Sequence, residues 1–252
     1  FETSLYDEKG KRRQDFGLCE LFGLSFANNV EGPMKNSYLR LMPDPKTAKF
    51  HPVLEGLEDA YRIINGIYRL EIKPGMEFPS PVTLIPSYPD LPMEHVYPRH
   101  TETGIREIYL RETGKSRIAY IPWDIDRSFW QVLSADHSRL IRNIIHWACH
   151  ETHPVTVTGP GILDVTAWRQ KNSMTVHLVN FTNPMMMKGP FRELLPLGEQ
   201  KIQIQIPENI RIKDVHLLVS DIKPDYQFRD GMISLTVPSI MDHEVVALDF
   251  DS

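Results

Sequence analysis

The sequence predicts two successive architectures: an α/β layer structure with a mostly parallel sheet over residues 1–150, and an all-β antiparallel sandwich over residues 151–252. Up to about residue 150, strand-like runs of branched residues alternate with helical segments, which is the pattern of a sheet covered by helices. After that point the helical period disappears, and short apolar runs are separated by Gly, Pro, Asn and Asp, which is typical of antiparallel β structure.

In the first part, four runs rich in branched residues predict strands: Ser37–Met42, Ile67–Ile72, Val82–Pro86 and Arg117–Ile121. Asp15 is placed to cap a short helix that ends at Gly23. After Asp126, apolar residues recur at helical spacing through Ala148 and predict a long helix. The proline-rich stretch 74–98 predicts ordered loop around one strand, because proline blocks helix continuation.

In the second part, seven runs predict strands: Pro154–Thr158, Ile162–Arg169, Met174–Phe181, Lys201–Ile206, Asp214–Ser220, Met232–Val237 and Glu244–Phe250. The run Lys201–Ile206 alternates strictly between polar residues and isoleucine. One face of that strand should therefore be buried and the other exposed, as in an antiparallel sandwich.

Composition excludes several classes of function. The formal charge of the 252 residues is −5, which argues against binding to nucleic acid or an anionic membrane, because phosphates require clustered Lys and Arg. The two cysteines suggest neither a disulfide framework nor a structural zinc site, and the ten scattered histidines show no metal-binding spacing. We therefore expect no metal, no cofactor and no membrane span, in a soluble protein for which a cytoplasmic location is favoured.

The segment Ile121–Trp130 is the strongest candidate for a site. It follows a predicted strand and precedes a helix, which is the rim where ligands collect in an open α/β sheet. Trp123, Asp124, Asp126 and Arg127 could bind a polyol or form an interface, with Phe129 and Trp130 anchoring the helix beneath Arg127. In the structural alternative, Asp126 or Ser128 caps the helix, Arg127 pairs with an acid and the indoles fill an interface.

Two further features have competing interpretations. Gly17–Leu21 suggests a cysteine nucleophile on a tight turn, but Cys19 falls inside the predicted helix and no strand leads into it, so packing is favoured. The run Met185–Met187 predicts an adaptable apolar patch for docking, with burial under its own loop as the alternative.

Five segments together resemble a known architecture: Glu2–Glu8, Asp15–Gly23, Gly114–Tyr120 leading to Asp124–Arg127, His177–Asn183 and Asp242–Ala247. The first three resemble the β-galactosidase trimerisation domain of family-42-like glycoside hydrolases, and the last two resemble the β-rich domain that follows it. The resemblance covers essentially the whole chain and is closer to relatives with hypothetical glycosyl-hydrolase barrels, some of them α-L-fucosidase-like, than to the β-galactosidases themselves.

The resemblance implies that an upstream (β/α)8 barrel holds the catalytic carboxylates and that the first domain has an amidotransferase- or flavodoxin-like α/β fold, truncated at its start. Since Phe1 lies inside a predicted element, we expect the chain to be the tail of a longer protein. The implied role is non-catalytic: assembly of a homo-oligomer and shaping of the barrel's active site. The alternatives are a carbohydrate-binding module and an autonomous amidotransferase-like hydrolase that uses Cys19.

Overall fold

The computed structural model of the protein describes residues 1–88, 92–95, 97–149, 153–182 and 193–251. It divides into two compact units, Phe1–Glu151 and Thr152–Ser252. Each unit has its own buried core.

The described residues of the first unit form short strands and three α-helices. Its strands are β1 (Leu24–Glu31), β2 (Tyr38–Leu41), β3 (Arg62–Ile64), β4 (Arg69–Pro74), β5 (Val82–Ile85), β6 (Tyr109–Thr113) and β7 (Ser116–Tyr120). Its helices are α1 (Cys19–Phe22), α2 (Ile125–Val132) and α3 (Ala135–Cys149), with short 3-10 helices at Pro52–Leu54 and Met93–His95.

The α/β prediction for the first unit is wrong, because its sheets are small and antiparallel. β1 pairs with β4, β2 lies between β3 and β5, and β6 pairs with β7. Parallel neighbours require a long crossover that is usually helical, whereas β1 to β7 are joined by loops, 3-10 turns and a hairpin. No amidotransferase- or flavodoxin-like layered sheet is formed by the described residues.

The predicted helices also differ in detail. The long helix expected after Asp126 is two helices, because Leu133 adopts a left-handed φ of 52° that ends α2. Asp15 does not cap α1; its carboxylate accepts the backbone N–H of Phe16 at 2.7 Å and of Phe26 at 2.8 Å. Gly23 ends α1 in the left-handed conformation, as predicted.

Two buried clusters stabilise the first unit. In one, the rings of Phe16, Phe22 and Tyr120 meet between α1, β1 and β7. In the other, Trp123 packs with buried residues of α3, such as Leu140, and with the buried residues of β2 and β5. Trp123 and Ile125 belong to this second cluster, which fixes the position of the candidate site.

The second unit consists of antiparallel strands: β8 (Val155–Thr158), β9 (Leu163–Arg169), β10 (Ser173–Asn180), β11 (Gln200–Gln205), β12 (Ile212–Leu217), β13 (Tyr226–Arg229), β14 (Met232–Val237) and β15 (His243–Phe250). They form two four-stranded sheets, in the orders β12-β15-β10-β9 and β13-β14-β11-β8. One apolar cluster contains inward-facing residues of both sheets, so the sheets share a single core.

The alternation predicted for Lys201–Ile206 is confirmed. Ile202, Ile204 and Ile206 are buried in the shared core, while Lys201 and Gln203 are exposed on the other face of the sheet. β13 was not predicted, because all four of its residues are exposed and it lies at the edge of its sheet, where no alternation is required.

Candidate functional site

The first residue of the predicted site, Trp123, belongs to the core. Its indole Nε1 donates a hydrogen bond to the backbone carbonyl of Glu107 at 3.0 Å, and its ring lies 5.3 Å from the imidazole of His137. Its backbone bridges to Arg69 at the start of β4. Since the side chain is fully buried, it offers no face on which a sugar ring could stack.

Asp124 is also buried, and its carboxylate is occupied by the protein's own backbone. Oδ1 accepts the N–H groups of Ile67 at 2.8 Å and Tyr68 at 3.0 Å, and Oδ2 accepts a hydrogen bond from the Arg127 guanidinium. Asp124 stands at the N-cap position of α2, but its side chain accepts no hydrogen bond from the backbone of the helix; it bonds to the segment before β4 and to the Arg127 side chain. The residue therefore fastens that segment to α2.

The fit around Asp124 is tight. A Cβ atom placed on Gly66 would lie 2.2 Å from Oδ1 of Asp124 and 2.8 Å from the indole of Trp123. Such distances are far below van der Waals contact, so only glycine fits at position 66 without movement of a buried side chain.

Asp126 and Arg127 are the exposed members of the predicted set. Asp126 lies in the first turn of α2, where a negative charge interacts favourably with the helix dipole. The Arg127 guanidinium lies 4.8 Å from the centre of the Tyr68 ring and is bonded to Asp124, yet 42% of its side chain stays exposed. Arg127 is thus held in one orientation while part of its side chain remains exposed.

The expectation that Trp130 anchors α2 from beneath is wrong. The buried residues of α2 are Ile125 and Ser128, and Trp130 follows Ser128 by two positions, which places it on the opposite side of the helix. Its side chain is 57% exposed. Arg127 and Trp130, at i and i+3, therefore form one exposed surface, called the α2 face below.

Beneath the site lies a buried ionic group that sequence reasoning missed. Arg69 Nε donates to Glu107 Oε1 at 2.7 Å, and Arg69 Nη1 donates to Glu31 Oε2 at 2.8 Å. Burial raises the pKa of the Glu107 carboxyl, and the neighbouring Arg69 opposes that rise. The visible signal was Arg69 itself, a charged residue inside an apolar strand run, but its partners are 38 residues away in both directions.

A concavity of about 430 Å³ is lined by residues in and beside the 3-10 helix at 52–54, the β6–β7 hairpin and α3. In it, Arg117 lies 5.5 Å from the ring centre of Trp147 and 3.4 Å from the Glu112 carboxylate. Burial lowers the pKa of His51, and its Nδ1 accepts the N–H of Val53 at 3.3 Å. Its imidazole is therefore neutral near pH 7 and supports the local turn, so it is poorly suited to donate a proton.

Cys19 begins α1 and is partly buried against the cluster that contains Phe16 and Phe22. α1 is a single turn preceded by Leu18 in a loop, so no strand delivers the thiol to an exposed turn. This geometry fits packing. The methionine run 185–187 lies outside the described residues.

The part of the chain that the structure describes offers neither a metal site nor a membrane-spanning helix. No group of three or more His, Cys, Asp or Glu side chains in this part of the chain could hold a metal ion. None of its helices is long and apolar enough to cross a membrane.

The fold of the chain is similar to parts of several glycoside hydrolases of known structure. The chain is similar to α-L-fucosidase isoenzyme 2 from Paenibacillus thiaminolyticus, with 16% identity and a TM-score of 0.64 over 91% of this chain and 34% of that one. It is also similar to Gan42B, a GH42 β-galactosidase from G. stearothermophilus, with 12% identity and a TM-score of 0.50 over 98% of this chain and 26% of that one.

A third similar structure is the β-galactosidase from Rahnella sp. R3, with 10% identity and a TM-score of 0.50 over 98% of this chain and 27% of that one. No protein-family model matches the chain, and no curated protein matches its sequence. The chain spans about a quarter to a third of the length of these structures. The predicted resemblance to part of a glycoside hydrolase is therefore confirmed as a shared fold.

Proposed function

We propose that this chain is the non-catalytic C-terminal portion of a larger glycoside hydrolase, with a β-galactosidase or α-L-fucosidase-like parent. An upstream (β/α)8 barrel would supply the catalytic carboxylates, and this portion would join subunits and shape the mouth of the barrel. The support is the fold that the chain shares with 26% to 34% of the length of such hydrolases.

The observation that carries the assembly role is the α2 face. Trp and Arg are the residue types most enriched at the energetic centres of protein interfaces, and Trp130 and Arg127 stand side by side on an exposed helix. The exposed indole keeps a large apolar surface in water beside the oriented guanidinium, so covering that surface with a partner subunit is favourable.

Arg127 is already organised for such a contact. The Asp124 carboxylate and the Tyr68 ring hold its guanidinium in place, so less side-chain entropy is lost when a partner carboxylate binds to it. The planar guanidinium can still donate to a second acceptor from its exposed edge.

The test is the oligomeric state of the full-length protein in sedimentation velocity. Trp130→Ala is the cleaner variant, because the indole is exposed and its removal leaves the hydrogen bonds of Asp124 intact. An interface residue of this type costs about 2 kcal/mol or more on truncation, so the subunit dissociation constant should rise by about thirtyfold. Arg127→Ala should act in the same direction, or raise the KM for a glycoside substrate.

Arg142→Ala is the matched control, since Arg142 is exposed on α3, away from the α2 face. It should leave both oligomer mass and KM unchanged. Circular dichroism should confirm that each variant is folded. If Trp130→Ala and Arg127→Ala change neither the oligomer mass nor the kinetics, the α2 face is ordinary surface and the assembly role is refuted.

A further inference from the structure

The second unit carries a groove that is independent of the α2 face. The outward face of the sheet β13-β14-β11-β8 forms a groove of about 800 Å³. This volume lies within the range of about 300–1,000 Å³ that is usual for small-molecule sites. Besides Asp225 and Tyr226, six polar residues line it: Thr158, Lys201, Gln203, Gln227, Ser234 and Thr236.

The strand register aligns these residues in rows. Gln203 on β11 is paired with Ser234 on β14, which is paired in turn with Gln227 on β13. In the next row, Lys201 is paired with Thr158 on β8 and with Thr236 on β14. Adjacent strands are about 4.8 Å apart, so each row presents hydrogen-bonding groups at regular intervals across the sheet.

The groups in the groove are not used by the protein. Within the described ranges, none of the six side chains forms a hydrogen bond or an ion pair with another residue. The inward residues between them, among them Ile202 and Leu235, fill the core and hold the strands in place. The groove is therefore a fixed backbone platform that carries unoccupied donors and acceptors.

The chemistry of the lining narrows the class of ligand. Lys201 and Asp225 contribute one charge of each sign, and the other polar side chains are neutral hydroxyls and amides. A polyanion would require clustered cations, and an apolar ligand would require an apolar lining. A peptide strand would add to a sheet edge, whereas this groove lies on the face of the sheet.

We propose that this groove binds a neutral oligosaccharide. The amides of Gln203 and Gln227 each offer donors and an acceptor in one plane, which matches adjacent sugar hydroxyls that both donate and accept. The hydroxyls of Ser234, Thr158 and Thr236 supply further partners along the two rows. Such a site would hold a carbohydrate chain on the accessory unit, independently of any assembly through the α2 face.

The experiment titrates the whole chain with neutral hexasaccharides of glucose, xylose, mannose and galactose in an isothermal calorimeter. At least one should bind, with little dependence on salt, and should shift the side-chain amide signals of Gln203 and Gln227 in ¹⁵N NMR spectra. The double variant Gln203→Ala/Gln227→Ala should weaken that binding by about tenfold or more, since each lost hydrogen bond contributes modestly. Both residues are exposed, so the fold should be retained.

Gln205→Ala is the matched control, because Gln205 is the same residue type on the same strand and the same face, but outside the groove lining. It should bind like the wild type. The proposal is overturned if no neutral hexasaccharide binds, if the double variant binds as well as the wild type, or if Gln205→Ala loses as much affinity. Salt-sensitive binding of hexagalacturonate in place of the neutral sugars would also overturn it. Each of these outcomes leaves the oligomer test of the α2 face unaffected.

Discussion

Two buried carboxylates, Asp124 and Glu244, are held in the same way, each by backbone N–H groups of a neighbouring segment. Glu244 begins the buried part of β15 and is only 2% exposed. Its Oε1 accepts the N–H groups of Val219 at 2.8 Å and Val245 at 2.9 Å, and Oε2 accepts that of Ser220 at 3.1 Å. In both cases a short acidic side chain stabilises a turn that has no strand partner.

For Glu244 this arrangement predicts a pH-dependent stability. Burial alone would raise the pKa of its carboxyl, but the hydrogen bonds from Ser220, Val219 and Val245 together lower it below the ordinary value of 4.5. The unfolded state therefore binds the proton more tightly than the folded state. The free energy of unfolding of the second unit should fall as the pH drops below about 4.5 and through the lower folded pKa.

Glu244→Gln should remove this contribution, because an amide has one acceptor oxygen and places an NH2 group against an N–H donor. At pH 7 the loss should be about 1–3 kcal/mol in urea unfolding, and the acid-dependent fall should be smaller than in the wild type. Glu199→Gln, at an exposed position before β11, is the control and should behave like the wild type. An unchanged dependence of stability on pH in Glu244→Gln would contradict this account.

At the candidate site, the sequence predicted the strand and the helix near the residues but not which side chains are exposed. The segment was expected between a strand and a helix; Trp123 and Asp124 lie there, between β7 and α2, whereas Asp126 and Arg127 lie within α2. The backbone partners of Asp124 are 56 and 57 residues earlier, in a loop whose position depends on the pairing of β3 and β4 with other strands. The local sequence pattern gives no information about such long-range contacts. A carboxylate that binds a ligand could therefore not be distinguished from one that binds the protein's own backbone.

At the scale of elements, strands were predicted better than their partners. Burial alternation within a run is a local property, which is why β2, β4, β5 and β7 were expected near their observed positions. Pairing direction depends on the connections between strands. The prediction of a mostly parallel sheet is wrong, for example, at the antiparallel β6–β7 hairpin, where Thr113 is paired with Ser116 across a two-residue turn. β1 was missed because its second half is largely exposed.

The junction between the segment before β4 and α2 predicts the effect of a single methyl group. Gly66→Ala should destabilise the first unit by about 1–3 kcal/mol or more, because the new Cβ would collide with Asp124 Oδ1, which is fixed by two backbone N–H groups. The free energy of unfolding in urea measures this. Gly198→Ala is the control, since the nearest atom to its Cβ would be at 3.8 Å, an ordinary contact.

A loss below about 0.5 kcal/mol in Gly66→Ala would show that the segment yields easily. Asp124 would then not be the rigid anchor described here, and the orientation of Arg127 would not depend on it. The α2 face and the segment before β4 would have to be treated as separate features.

At the scale of the whole molecule, the chain combines two units with different kinds of core. The second unit encloses one cluster between two sheets, whereas the first divides its apolar residues between two smaller clusters. The proposed functions follow the same division, with assembly at the α2 face of the first unit and saccharide binding on a sheet of the second. Separate cores also predict separate unfolding, because few cooperative contacts need to extend from one core to the other.

The last prediction is that the two units unfold independently in the intact chain. Gly66→Ala should lower only the transition of Phe1–Glu151, and Ile204→Ala, which empties a fully buried position, should lower only that of Thr152–Ser252 by about 2–5 kcal/mol. Hydrogen exchange in increasing urea, followed by mass spectrometry of peptides from each unit, assigns each transition to its unit. If either substitution lowers the protection of both units equally, the chain is one cooperative body, and a function could not be attributed to one unit alone.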